Sequence, residues 1–347
     1  MRVLYKKIII LFFKIFYSKI KISKNDVSNN YLNKQFKINN LTIKIYEIKN
    51  CRLFTNTLDV AVIKNNFLLK GPSLQIRNNK NMKVEINSAY KNGTPKLYKK
   101  IQGRVFSLLP GLDANFNYYH WFFDSLAKIY FYKKYYKFTK SDYFLVPNIK
   151  NEYQKKSLSF FGIKNILNAY EIKHFKIGKL ITTNFTNFNT NPPRKIINYF
   201  RKIFLKNINR TKINQNNIFL DRTGSASAYR DIYNKNEIIS FLFKKNFKII
   251  DPTKLNFLSQ IKIFNSAKKI VGTHGAAFTN IIFCKKGTKI VELKAKNSKN
   301  NTIKNIAKNV NLNFNQIYLN KINNNETNRS WDGLLYLNIK KLSKILF

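Results

Sequence analysis

The stretch Lys268–Leu293, KKIVGTHGAAFTNIIFCKKGTKIVEL, decides the fold. Ile270 and Val271 ahead of Gly272 have the apolar make-up of a buried parallel strand, and Thr288–Leu293 reads as a second strand. Between them Ala276, Ala277, Ile281 and Ile282 suit a helix packed on that sheet, so the unit is strand, turn, helix, strand. The residues of the turn, Gly275, Ala276 and Ala277, are small enough for a ligand to approach the backbone. A turn that opens a helix offers unpaired N–H groups and the positive end of the helix dipole, which suits a diphosphate. Glu292 falls near the carboxyl end of the second strand. In open α/β sheets ligands sit at that edge, where an acidic side chain can hold a ribose diol. His274 belongs either to such a site or to a polar core.

Outward from this unit the alternation continues. Strands at Ile218–Leu220, Phe247–Ile250 and Phe314–Leu319 interleave with helical runs at Asn236–Lys245, Leu258–Ala267 and Asn301–Ala307. This spacing predicts a doubly wound, mostly parallel sheet. Upstream, Asn191-Pro192-Pro193 starts a helical run to about Asn207 and serves as a linker. Tyr118–Tyr136 is helix-like, Tyr143–Val146 is a buried-strand pattern, and Glu152–Phe161 is a helix ending near Gly162. Residues 40–110 read as short alternating segments, among them Leu41–Ile48 and Asn66–Leu69, punctuated by Gly71-Pro72 and Gly93-Thr94-Pro95. The expected divisions are a basic N-terminal segment 1–39, an N-terminal domain 40–190, a C-terminal Rossmann-like domain 191–330, and a tail 331–347 that closes as a helix.

The 347 residues suffice for two domains with ample cores, and 44% hydrophobic content fits a globular protein. A formal charge of +48 would ordinarily suggest nucleic acid. Here the lysines recur in nearly every segment rather than along one stripe, alongside abundant Asn, Ile, Phe and Tyr, so no nucleic-acid partner is expected. Attraction to acidic lipids is compatible with the charge, at about 1 kcal/mol per juxtamembrane cation. The N-terminus MRVLYKKIIILFFKIFYSKIKI has an uninterrupted apolar run only from Ile8 to Phe13, too short to span a bilayer and without a cleavage site. It is either a basic amphipathic segment lying on the cytoplasmic membrane face or a first core helix. Cys51 and Cys284 imply neither a disulfide framework nor a zinc site. No cofactor and no bound metal are expected.

Three islands carry chemistry. In Asn117–Asp124, NYYHWFFD, a helix would put His120 and Asp124 on one face, where the carboxylate can orient an imidazole acting as general base; a structural histidine is the alternative. In the second, Asp221-Arg222-Thr223 follows a strand and Arg230 lies downstream; arginine forks there suit phosphate oxygens, or else form surface ion pairs. The third is the turn His274-Gly275-Ala276 with Glu292. No Asp-x-Asp pair occurs, so the arginines would replace a metal ion on a leaving diphosphate.

These islands, in this order, resemble glycosyltransferase family 61, especially its bacterial members linked to capsular and other surface polysaccharides. The likeness runs from about Asn117 to Leu293 and is carried by NYYHWFFDSLAKI, IFLDRTGSASAYRDIYNKNEII and the His274 segment. Thr273 stands where many relatives have proline, and Tyr229-Arg230 replaces a double arginine. The resemblance implies a GT-B-like α/β architecture, with two Rossmann-like domains facing a central cleft. It also implies inverting, metal-independent transfer from a nucleotide-sugar donor to a glycan or lipid-linked saccharide. Localisation is then cytoplasmic, with a peripheral contact on the inner membrane face. Two rivals are a non-enzymatic basic binding protein on an α/β scaffold, which leaves the clustered residues unexplained, and a dehydrogenase. No G-x-G-x-x-G follows a strand, which counts against dinucleotide binding.

Overall fold

A computed structural model of the chain describes residues 2–22, 27–56, 59–73, 76–77, 80–110, 117–206, 208, 216–223, 231–322 and 334–347. Contacts group it into two compact units, Met1–Asn189 and Thr190–Phe347.

The first unit opens with helix α1 (Arg2–Phe16). One sheet follows, built from β1 (Leu32–Ile38), β2 (Leu41–Thr55), β3 (Val60–Lys64), β4 (Phe67–Leu68), β5 (Lys99–Ser107), β6 (Tyr143–Val146), β7 (Ile166–Asn168) and β8 (His174–Thr183). Its order is β4-β3-β2-β8-β5-β6-β7, with β1 on β2. Strands β8, β5, β6 and β7 run parallel, whereas β1 to β4 and the β2–β8 junction are antiparallel. The sheet is therefore mixed, unlike the wholly parallel sheet of a Rossmann domain. Local chemistry explains the antiparallel half: Asn65 and Asn66 both hold positive φ, 48° and 59°, in the two-residue turn that joins β3 to β4. At Gly178 a side chain would run into the Gln102 carbonyl, so glycine lets β8 approach β5 where their register shifts. Ile48, Leu53, Val105, Leu145, Phe175 and Leu180 form the heart of the core.

Helix α2, composed of Tyr118–His120, a π-helical turn Trp121–Leu126 and Ala127–Lys133, packs on this sheet, where Tyr132 donates its hydroxyl to the Ser107 carbonyl at 2.6 Å, and helix α3 (Glu152–Phe160) lies against α2. All six residues of the π turn are buried, and Trp121 donates from Nε1 to Ser157 Oγ of α3 at 2.9 Å. Single π turns inside α-helices recur at functional sites.

The second unit alternates α4 (Arg194–Phe204), β9 (Asn216–Leu220), α5 (Lys235–Lys244), β10 (Phe247–Ile250), α6 (Phe257–Ser266), β11 (Ala267–Thr273), β12 (Lys289–Ala295), α7 (Thr302–Val310), β13 (Asn313–Leu319) and α8 (Ile339–Leu346). Helix α4 starts at the Pro193 cap and buries Ile196, Ile197, Phe200 and Phe204, the spacing of one helical face. The five strands are all parallel, in the order β10-β9-β11-β12-β13. Counted along the chain this is second, first, third, fourth, fifth, a doubly wound order. Its topological switch point lies between β9 and β11, where successive crossovers leave in opposite directions. Helix α8 closes the unit by burying Leu342 and Leu346 in the core around Val271 and Val291. The segment after the His274 turn is a 3-10 helix, Ala276–Phe283, rather than the α-helix expected there.

Candidate active site

The first unit holds the His120 cluster. Asn117 Oδ1 caps α2 by accepting from the N–H groups of Tyr119 and His120, at 2.9 and 3.3 Å, which fixes where the first turn starts. One turn on, Asp124 Oδ2 lies 2.6 Å from His120 Nδ1. The His120 side chain is 37% exposed and that of Asp124 only 6%, so the acid is interior and the imidazole reaches outward. A carboxylate on Nδ1 fixes the ring's orientation, and an imidazole held in this way is suited to general-base work through Nε2.

The same helix carries a residue that the sequence reading missed. Lys128 lies four residues past Asp124 and is buried, and its Nζ donates to the Leu109 carbonyl at 2.5 Å. That bond pins the middle of α2 to the chain just past β5. Burial lowers the Lys128 ammonium to about 7, against the opposing pull of the Asp124 carboxylate. The signal was available in the sequence as a second i, i+4 step, His120, Asp124, Lys128. Burial likewise pushes the Tyr119 phenol well up, reinforced by the Asp124 charge.

The second unit brings Arg222, His274 and Glu292 together at the switch point. Leu220 of β9 and Gly272 of β11 are register partners, so Arg222 and His274 both stand two residues past the pair, at the carboxyl edge of the sheet. Arg222 is buried and donates from Nη1 to the His274 carbonyl at 3.0 Å. Gly275 makes room for it: a Cβ there would occupy the place of Arg222 Nη1. Ala276 then opens the 3-10 helix with Gly275 as its cap.

His274 is held from two sides. Its N–H donates to the Leu293 carbonyl at 2.9 Å, and its Nδ1 hydrogen-bonds with Glu292 Oε1. Glu292 is 1% exposed; its other oxygen accepts from Gln316 Nε2 at 2.6 Å, and Gln316 Oε1 accepts from the Tyr318 hydroxyl at 3.0 Å. A polar chain thus runs from Gln316 in the middle of β13 through Glu292 in the middle of β12 to His274 just past β11, and the Arg222 bond extends it to the end of β9. Gln316 was absent from the sequence reading, although it is the register partner of Glu292.

Asp221, beside Arg222, is engaged elsewhere. It pairs with Lys235 and accepts from the Thr223 hydroxyl at 3.0 Å. Burial pushes its carboxyl up, but the hydrogen bonds from Lys235 and Thr223 outweigh it and hold the group below its usual value. Arg230 lies outside the described residues. Among the described residues no group of three or more His, Cys, Asp or Glu converges as a metal site.

The family model for glycosyltransferase 61 matches residues 118–291, half of the chain. The chain belongs to glycosyltransferase family 61. No curated protein matches it. Membership makes sugar transfer from a donor to an acceptor the chemistry to be explained, and decides against the non-enzymatic reading. The family span begins one residue after the Asn117 cap and takes in His120, Asp124, Lys128, Arg222, His274, Gly275 and Ala276. It ends at Val291, so Glu292, the next residue, and Gln316, which together anchor His274, lie outside the family span.

Proposed function

We propose that this family 61 member is a GT-B-like, inverting, metal-independent glycosyltransferase of surface polysaccharide biosynthesis, such as that of a capsule. It takes its sugar from a nucleotide-sugar donor and passes it to a glycan or lipid-linked saccharide. The observation that carries the reading is the cluster of Arg222, His274 and Gly275 at the switch point of a parallel sheet. A buried guanidinium stands there beside a small-residue turn and the amino end of a helix, a combination that favours a diphosphate.

In the reaction His120 Nε2 removes the proton of the acceptor hydroxyl, whose oxygen attacks the anomeric carbon. The bond from that carbon to the diphosphate oxygen breaks, and the electron pair leaves with the nucleoside diphosphate. Asp124 keeps the imidazole oriented and stabilises the imidazolium as it forms. Arg222, Arg230 and the N–H groups opening the 3-10 helix meet the charge that grows on the leaving group, where preorganised donors contribute most. Glu292 stood at the ribose in the sequence reading. Its burial and its two protein partners favour a positioning role, holding His274 and through it the carbonyl that receives Arg222.

Incubation with a panel of uridine-, guanosine-, cytidine- and thymidine-activated sugars and short glycan acceptors tests the reading. Release of free nucleotide together with a glycosylated acceptor of inverted anomeric configuration supports it. Retained configuration would contradict the single-displacement mechanism.

A further inference from the structure

Helix α1 presents an apolar face to solvent. At about 100° per residue, Leu4, Ile8, Leu11, Phe12, Ile15 and Phe16 fall within one arc of roughly 140°. All six are between 57% and 76% exposed. The opposite side of the helix is the one attached to the first unit. Lys14 Nζ donates to the Lys91 carbonyl at 3.0 Å, and just past the helix the Tyr17 ring meets His174 and Tyr98 at 5.0 and 5.7 Å. Ile20 enters a core cluster with Phe54 and Ile63, and the Lys21 N–H donates to the Asn66 carbonyl at 2.8 Å. The helix is therefore tethered with its apolar arc outward.

Charge identifies what covers this face. Lys6, Lys7, Lys19 and Lys21 are exposed along and just past the helix, and residues 1–25 contain no Asp or Glu. A second copy of α1 laid on the first would bring these lysines together with no acidic partner on either helix. An anionic bilayer accepts the apolar arc and pairs with the lysines at once. The helix has 15 residues, about 22 Å at ~1.5 Å per residue, short of the roughly 30 Å of hydrocarbon a crossing requires. No helix among the described residues is long and apolar enough to cross a membrane.

We infer that α1 is an in-plane membrane anchor that docks this chain on an anionic lipid surface through Leu4, Ile8, Leu11, Phe12, Ile15 and Phe16. The docking needs neither donor nor acceptor, so it stands apart from the catalytic assignment.

Flotation of the full chain with lipid vesicles tests it, comparing phosphatidylcholine alone with phosphatidylcholine containing phosphatidylglycerol. Binding is expected on the anionic vesicles. It should weaken as salt is raised from about 0.1 to 1 M, where the Debye length shrinks from about 10 to 3 Å. The combined variant Ile8→Ser, Phe12→Ser, Ile15→Ser alters only exposed side chains and should keep its melting temperature, yet lose vesicle affinity about a hundredfold or more. Equal vesicle binding by variant and wild type would overturn the inference. So would failure of the wild type to bind anionic vesicles, or a lipid-free dimer that the variant abolishes.

Discussion

Arg222 Nη1 rests on the His274 carbonyl at 3.0 Å, in space that Gly275 leaves open because it has no Cβ. The two residues follow register partners on adjacent parallel strands, so sheet topology brings them together across 52 positions of sequence. Gly275 has an extended φ of 176°, which alanine adopts without strain. Gly275→Ala should therefore fold, because only the flexible end of Arg222 has to move. It should weaken nucleoside-diphosphate binding by about 1.5–3 kcal/mol, the usual size of a charge-assisted contact. Calorimetric titration of the variant measures this, and wild-type affinity would remove Arg222 from the donor site.

His120→Ala separates binding from chemistry. The variant should keep its nucleotide affinity and melting temperature while kcat falls by roughly 10² to 10⁴. Asp124→Asn should lower kcat less, since it weakens the orientation of the imidazole without deleting the base. A joint loss of stability and of all ligand binding would mark His120 as structural.

Stability should fall in mild acid because of His174. This imidazole is buried among the rings of Tyr17, Phe54 and Tyr98, with Nδ1 2.7 Å from the Lys96 carbonyl. Burial lowers it to about 4, the Lys96 bond opposes that shift, and the Arg52 charge adds to it. The folded chain then keeps His174 neutral while the unfolded chain protonates it near pH 6.5. The contribution is complete above pH 6.5 and is lost as pH falls toward 4, by about 3 kcal/mol. Denaturant titrations between pH 4 and 7 should show this slope, and His174→Gln should flatten it. An unchanged slope in the variant would place the titration elsewhere.

Much of the second unit was legible in the sequence, because its strands are short apolar runs cleanly separated by helical patterns. The tail also closes as a helix, α8, whose Leu342 and Leu346 keep helical spacing. The first unit was harder. Strand β8, at the centre of its sheet, alternates poorly: Lys176 and Lys179 flank Gly178, whose role is a close approach to Gln102 and not a turn. The 15-residue β2 was read only as far as Ile48, because Lys49 and Asn50 are consecutive polar residues that look like a strand end, yet the strand continues through Asn50 at positive φ to Thr55. The 3-10 helix at Ala276–Phe283 could not be told from an α-helix, because six of its eight residues are buried and a short apolar run has no distinctive period. At the site itself, spacing supplied His120 with Asp124. The pairings of Arg222 with His274 and of Glu292 with Gln316 come from strand register, which no local pattern encodes.

Transfer should persist in excess EDTA. The motive is Arg222 beside the small-residue turn, in a sequence without any Asp-x-Asp pair. Activity abolished by the chelator and restored by Mn²⁺ or Mg²⁺ would assign the diphosphate to a metal ion instead.

The most direct measurement is the thermal shift of wild type and Arg222→Ala across the four families of nucleotide sugar, each recorded against its own ligand-free melting temperature. A donor present at about 100 times its Kd should add about 2.7 kcal/mol to the wild type. The expected result is that at least one nucleotide sugar stabilises the wild type and that most of this stabilisation disappears in the variant. A wild type stabilised by none of them, or a variant stabilised just as strongly, would contradict the assignment of Arg222 and the His274 turn as the donor site.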